Sequence, residues 1–279
     1  MAARRVTRQP AARRKPAPKR GKPTTKRRVR VMPYVVPTRG ATLAEGLMVP
    51  TKWVKFVFAL FLLPLCAVLS QTFFTAFARA TVAERLWAGQ EFWFFSLGAV
   101  LWLIAFFGLP RPILIYVFGH ELTHALWVWL MGGRVSHFRV GRDGGHILTD
   151  KNNFLIALAP YFFPLYSLIV LALYGAASLF TSMQPYGQLL YALIGVTWAF
   201  HCTFTLWMIP KNQSDLSDNG TIFSLVVIYL MNLLLLGAML IIASPSLTFA
   251  SFSADLLRNT TNFSHWVTTV CESLSGVGG

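Results

Sequence analysis

Ile113–Met131 reads ILIYVFGHELTHALWVWLM, and the rest of the chain takes its meaning from this stretch. It is apolar and about as long as one helical bilayer crossing, for which roughly 20 residues are needed. In its middle stand His120, Glu121 and His124. Residues four apart share one face of a helix, so the two imidazoles can reach a single metal ion. Glu121 is the next residue round from His120, within reach of a water at the same ion. The spacing is the H-E-x-x-H pattern of zinc hydrolases, whose Glu is the general base. Ionisable groups are costly in mid-membrane, so three within five positions ask for a functional explanation. The same trio is also compatible with a hydrogen-bonded packing cluster or a proton relay.

Outward from this stretch the composition is that of a membrane protein. Of 279 residues, 55% are hydrophobic and 13% charged. Several further apolar runs approach spanning length, which predicts an integral, multi-pass, all-α membrane protein of about six helices. The net charge of +15 is concentrated at one end: residues 1–40 carry 14 Lys or Arg and no acid. The rest has 11 basic residues (25 − 14) against 10 acidic ones, a net of +1. The cysteines Cys66, Cys202 and Cys271 have no C-x-x-C spacing, which argues against a thiolate metal site or a disulfide framework. With no early apolar h-region, the first span is expected to act as the insertion signal.

Three parts follow from these shifts. Residues 1–45 form a basic tail expected to be disordered, because like charges repel and nothing in it builds a core. Residues 46–243 form the membrane-embedded domain, and 244–279 a polar C-terminal tail, read as an interfacial helix. The tail suits anionic lipid headgroups, and nucleic acid is a second partner of the same chemistry. Within it, Arg20-Gly21-Lys22-Pro23 resembles the core of AT-hook minor-groove binders.

The predicted spans are 53–70, 92–109, 113–131, 154–180, 189–209 and 221–242. Pro160 and Pro164 interrupt the fourth, and such breaks are tolerated where protein or water satisfies the freed backbone, so this span is expected to flank the site. Between the third and fourth, glycines at 132, 133, 141, 144 and 145 punctuate a short β-hairpin or extended loop. Six crossings place both termini on one side. The basic tail, with Lys52 and Lys55, assigns that side to the cytoplasm, although Arg134, Arg139, Arg142 and Lys151 in the hairpin pull the other way.

A catalytic zinc usually takes three protein ligands. After HELTH the acids are Asp143, Asp150, Asp215, Asp218, Asp255 and Glu272. Asp215 and Asp218, at the mouth of the last span, are the best placed. Asp218 has an ordinary alternative role as N-cap of the sixth helix, which tilts the choice towards Asp215. His201 and His146 are outside candidates. For either aspartate to reach mid-membrane, the stretch KNQSDLSDNG must dip into the bilayer and line a water-filled cavity.

HELTH in a span, the Gly132-Gly133 pair after it, and an Asp- and Gly-bearing stretch ahead of a later helix resemble the site-2 protease family of intramembrane zinc metalloproteases. The likeness covers roughly residues 92–243. It departs from the family pattern where Asp is followed directly by Gly, since Asp218 is followed by Asn219 and Asp215 by Leu216. The resemblance implies a zinc metallopeptidase whose substrate is a transmembrane segment of another protein. His120, His124 and Asp215 or Asp218 would be ligands, and Glu121 the base. The rival expectation is a non-catalytic membrane scaffold, or an anchor whose basic tail holds lipid or nucleic acid.

Overall fold

The computed structural model describes residues 51–82, 85–211, 213–244 and 247–275. The expectations for the basic tail lie outside these residues. Nine helices and one hairpin are described: α1 (Thr51–Val82), α2 (Gln90–Gly108), α3 (Ile113–Leu130), β1 (Val135–Gly141), β2 (Gly144–Thr149), α4 (Phe154–Leu158), α5 (Leu165–Ser178), α6 (Gly187–Met208), α7 (Ser214–Asn219), α8 (Thr221–Ala243) and α9 (Phe249–Ser275). Five of the helices are long and apolar enough to cross a membrane: α1, α2, α3, α6 with its flanking turns, and α8. The predicted fourth span is α4 and α5, bent by 78° at the break that Pro160 and Pro164 announce. The exterior is apolar, with Phe61, Phe107 and Phe180 each at least three-quarters exposed. Such a surface is far more apolar than soluble monomers carry. The protein is an all-α, multi-helix membrane fold.

Two helix pairs make its walls. Gly98 of α2 and Gly195 of α6 bring two backbones together, since a Cβ on either would collide with the facing main chain at Ala192 or Phe95. Small residues allow this close approach where lipid supplies no hydrophobic drive between helices. Further along, Trp102 Nε1 donates to Thr203 Oγ1 at 2.9 Å, and Phe204 stacks on Tyr116 of α3 at 4.6 Å. The other pair is α1 and α8, with Lys55 near Asn219 and Ser70 near Tyr229. The two run parallel, which differs from the expected six alternating crossings, whose first and last would be antiparallel. It fits five crossings with the bent α4–α5 pair as a re-entrant segment.

α1 differs from its predicted extent. Instead of ending near Ser70 it continues to Val82, 32 residues in all, with Pro64 inside. Ala76 and Ala80 on the added turns are buried in a cluster with Phe252 and Leu247. Arg79, beyond the end of the predicted first span, pairs with Asp255 of α9 at 2.9 Å, and Asn259 donates to Thr72 at 3.0 Å. The C-terminal segment is thus a helix whose first turns are pinned to α1, while most of 260–275 is exposed.

α3 ends where the glycines say it should. Gly132 has φ +71, Gly133 N–H donates to the Val128 carbonyl at 2.8 Å and Gly132 N–H to Trp129 at 2.9 Å. This is the paired hydrogen-bond pattern of a glycine-terminated helix. The chain then turns back as the β1–β2 hairpin, antiparallel, with a bulge between Val135 and His137. Asp150 accepts from Arg134 N–H at 2.7 Å and closes its base. The hairpin lies along α3: Ile147 packs with Ala125 and Val128, and Phe138 meets Phe118 at 6.1 Å.

Candidate metal centre

The side chains of HELTH fall as the helical spacing dictates. Glu121 and His124 are buried, at 7% and 8% exposure. His120 Nε2 and His124 Nε2 lie 3.2 Å apart. Into this pair comes Asp215 from α7, its Oδ2 3.3 Å from His120 Nε2 and 3.6 Å from His124 Nε2. One atom from each of the three lies within 4.8 Å of the others, the only such group of metal-ligating side chains among the described residues.

Each of the three atoms is aimed by a second contact. α4 is capped by Asn153, whose Oδ1 accepts from Ile156 N–H at 2.9 Å. One helical turn on stands Pro160, which has no N–H, so the Ile156 carbonyl lacks its usual helical donor. His124 Nδ1–H fills that vacancy at 2.8 Å. A neutral imidazole that donates from Nδ1 keeps its Nε2 lone pair free, and Nε2 is the atom facing Asp215 and His120. His120 is steadied from behind by the Tyr116 hydroxyl, 3.2 Å from Nδ1. Tyr161, the residue after Pro160, donates to Asp215 Oδ2 at 3.2 Å, and its own carbonyl accepts from Asn232 at 2.9 Å. α7 is held by Lys55, which donates to Asn219 Oδ1 at 2.6 Å, while Asn219 donates to the Asp215 carbonyl at 3.0 Å.

The two aspartates separate clearly. Asp215 joins the histidines; Asp218 is exposed and outside the cluster. Nor is Asp218 the N-cap of the last span, because it sits within α7 and Gly220, at φ +89, occupies the cap. The outside candidates do not join the cluster either. His201 lies in a second cavity that shares Tyr116 and His120 with the first. His146 lines the first cavity from the hairpin without joining the triad.

No protein family model, curated protein or solved structure matches this chain. The site must therefore be read from its own geometry.

An open cavity leads to the cluster, lined by His120, Glu121, His124, Gly145, Gln213 and Asp215 among others. Gly145 lets the hairpin press on Glu121, since a Cβ there would lie 2.5 Å from Glu121 Cγ. The predicted polar lining is present in Gln213 and Ser214, while Asn212 lies outside the described residues. The supporting residues Tyr116, Tyr161 and Gly145 were not singled out from sequence. Tyr116 had a usable signal, standing four residues before His120 on the same helical face.

Proposed function

We propose that the protein is an intramembrane zinc metallopeptidase of the site-2 protease type, cutting peptide bonds in or near transmembrane segments of other proteins. One observation carries this reading. Two histidines one turn apart meet an aspartate from 91 positions further on (215 − 124), beside a buried Glu that is not part of the triad. A packing cluster needs no such spare acid at the mouth of a cavity. The fit to zinc can be tested on distances: tetrahedral bonds of about 2.0–2.2 Å give ligand–ligand edges of about 3.3–3.6 Å, and the three edges here are 3.2, 3.3 and 3.6 Å. Two nitrogens and one carboxylate oxygen are a usual zinc donor set, and three protein ligands leave a fourth position open.

His120, His124 and Asp215 would hold the ion. Bound there, zinc would lower the pKa of water towards about 7 and polarise a carbonyl. Glu121 takes the proton from the attacking water and passes it to the leaving amine. The hairpin beside the cavity supports the substrate class, because an extended segment unwound from a helix can pair with a strand edge. On the same reading the N-terminus is cytoplasmic and residues 1–45 rest on anionic lipid.

The test is metal analysis of detergent-purified protein, wild type against His120→Ala. About one zinc per chain, lost in the variant, is the expected result. Metal-free wild type would favour the scaffold reading instead.

A further inference from the structure

We propose that Gln213 is a substrate-contacting residue, its side-chain amide donating a hydrogen bond to the oxygen of the scissile carbonyl. The inference rests on the hydrolytic reading and adds the residue that receives the substrate's oxygen.

Gln213 is 4% exposed, and its amide nitrogen is sealed from solvent without a hydrogen-bond partner. Buried amide groups in folded proteins are almost always paired, so an orphan at a cavity points to a missing partner. The residue lines the same cavity as His120, Glu121, His124 and Asp215. Its local position gives the side chain no structural task. Gln213 stands at the N-cap of α7, but only its backbone carbonyl is used, accepting from Ser217 N–H at 3.2 Å; no side-chain cap bond forms. The residue therefore brings an unpartnered donor to the lining of a site otherwise furnished with a candidate base and three candidate ligands.

A peptide carbonyl is the acceptor this donor fits. When water attacks, a C–O bond forms at the carbonyl carbon and the carbonyl π pair moves onto its oxygen, while Glu121 receives the water's proton. On collapse the C=O bond reforms, the C–N bond breaks, and the proton held by Glu121 goes to the departing nitrogen. Gln213 keeps its own hydrogens throughout. Its bond to the oxygen strengthens as negative charge develops, which is where such donors act most strongly.

The experiment uses the full-length, zinc-loaded protein in detergent and two metal-seeking probes. A phosphinic dipeptide presents tetrahedral oxygens to the amide, and a thiol dipeptide of the same side chains presents none. Gln213→Met keeps side-chain length and removes the donor; Gln213→Asn retains an amide. The expected result is unchanged zinc, phosphinate affinity lowered about 100-fold in Gln213→Met, partial recovery in Gln213→Asn, and equal thiol binding in all. Zinc-loaded wild type and Gln213→Met that bind the phosphinate alike would overturn the proposal while leaving the peptidase reading standing. So would loss of both probes together, which marks damage to the site. Wild type without zinc overturns the reading and this inference with it.

Discussion

His124 has one ring nitrogen already committed, which leaves the other free for a metal, and the commitment comes from a proline. Pro160 removes the N–H that Ile156 would have used, and His124 takes its place at 2.8 Å. At this scale the site was largely legible in sequence. His120, Glu121 and His124 follow from spacing alone. Pattern favours Asp215 over Asp218 only through an N-cap role that Asp218 does not play. What separates them is α7, six residues long, which turns Asp215 to the histidines and leaves Asp218 exposed. Asp215→Ala should abolish stoichiometric zinc and Asp218→Ala should retain it, by metal analysis. Glu121→Gln should keep the metal and lose hydrolysis of a transmembrane substrate; zinc loss in that variant would mean Glu121 is a ligand. Gly145→Ala tests the hairpin's contact with the base. The added Cβ would lie 2.9 Å from Glu121 Oε1 and 2.8 Å from the Arg139 carbonyl. Activity should therefore fall with zinc retained, and a fully active variant would show that the hairpin yields freely.

Among the elements, those with chemical punctuation were read well and those without were not. α3 is bounded by Pro112 and Gly132, and the bend in the fourth segment by Pro160 and Pro164. α1 has no such mark: residues 71–82 contain neither Gly nor Pro, so nothing stops the helix, and polarity at Gln71 and Arg79 is a poor substitute for a stop signal. The added turns exist to receive α9, whose Asp255 is buried and whose charge is met by Arg79 and Arg258, each at 2.9 Å. That docking depends on contacts between residues 176 positions apart (255 − 79), which local pattern cannot show. Asp255→Ala should cost about 1–3 kcal/mol, since Arg79 is 40% exposed and can recover water. Thermal unfolding in detergent would measure it, and an unchanged midpoint would mean that α9 is held by Phe252 and Asn259 instead. In the link before α8, a cysteine at Ser214 should react with small water-soluble thiol reagents. One at Leu216, 3% exposed in the core, should not. The opposite order would place the cavity on the wrong side of α7.

For the whole molecule, charge divides the work. Residues 1–40 hold 14 of the 25 basic residues, and the remainder is nearly neutral. Removing residues 1–45 should leave zinc content intact and weaken flotation with anionic vesicles, more so at low salt than at high, because screening fades with dilution. Unchanged, salt-independent binding after truncation would assign the lipid contact to the body. A reporter fused to the N-terminus should report the cytoplasm, as the positive charge dictates.

The seam between Gly98 and Gly195 has a mechanical consequence. Two helices in backbone contact cannot slide or splay independently, and the same pair carries Phe204, which stacks on Tyr116 behind His120. When a bilayer thins or thickens, single helices adjust by tilting. Here α2 and α6 must tilt as one rod, carrying the stacked ring with them. A change in bilayer thickness that tilts this pair should therefore be felt at Tyr116, one hydrogen bond from His120.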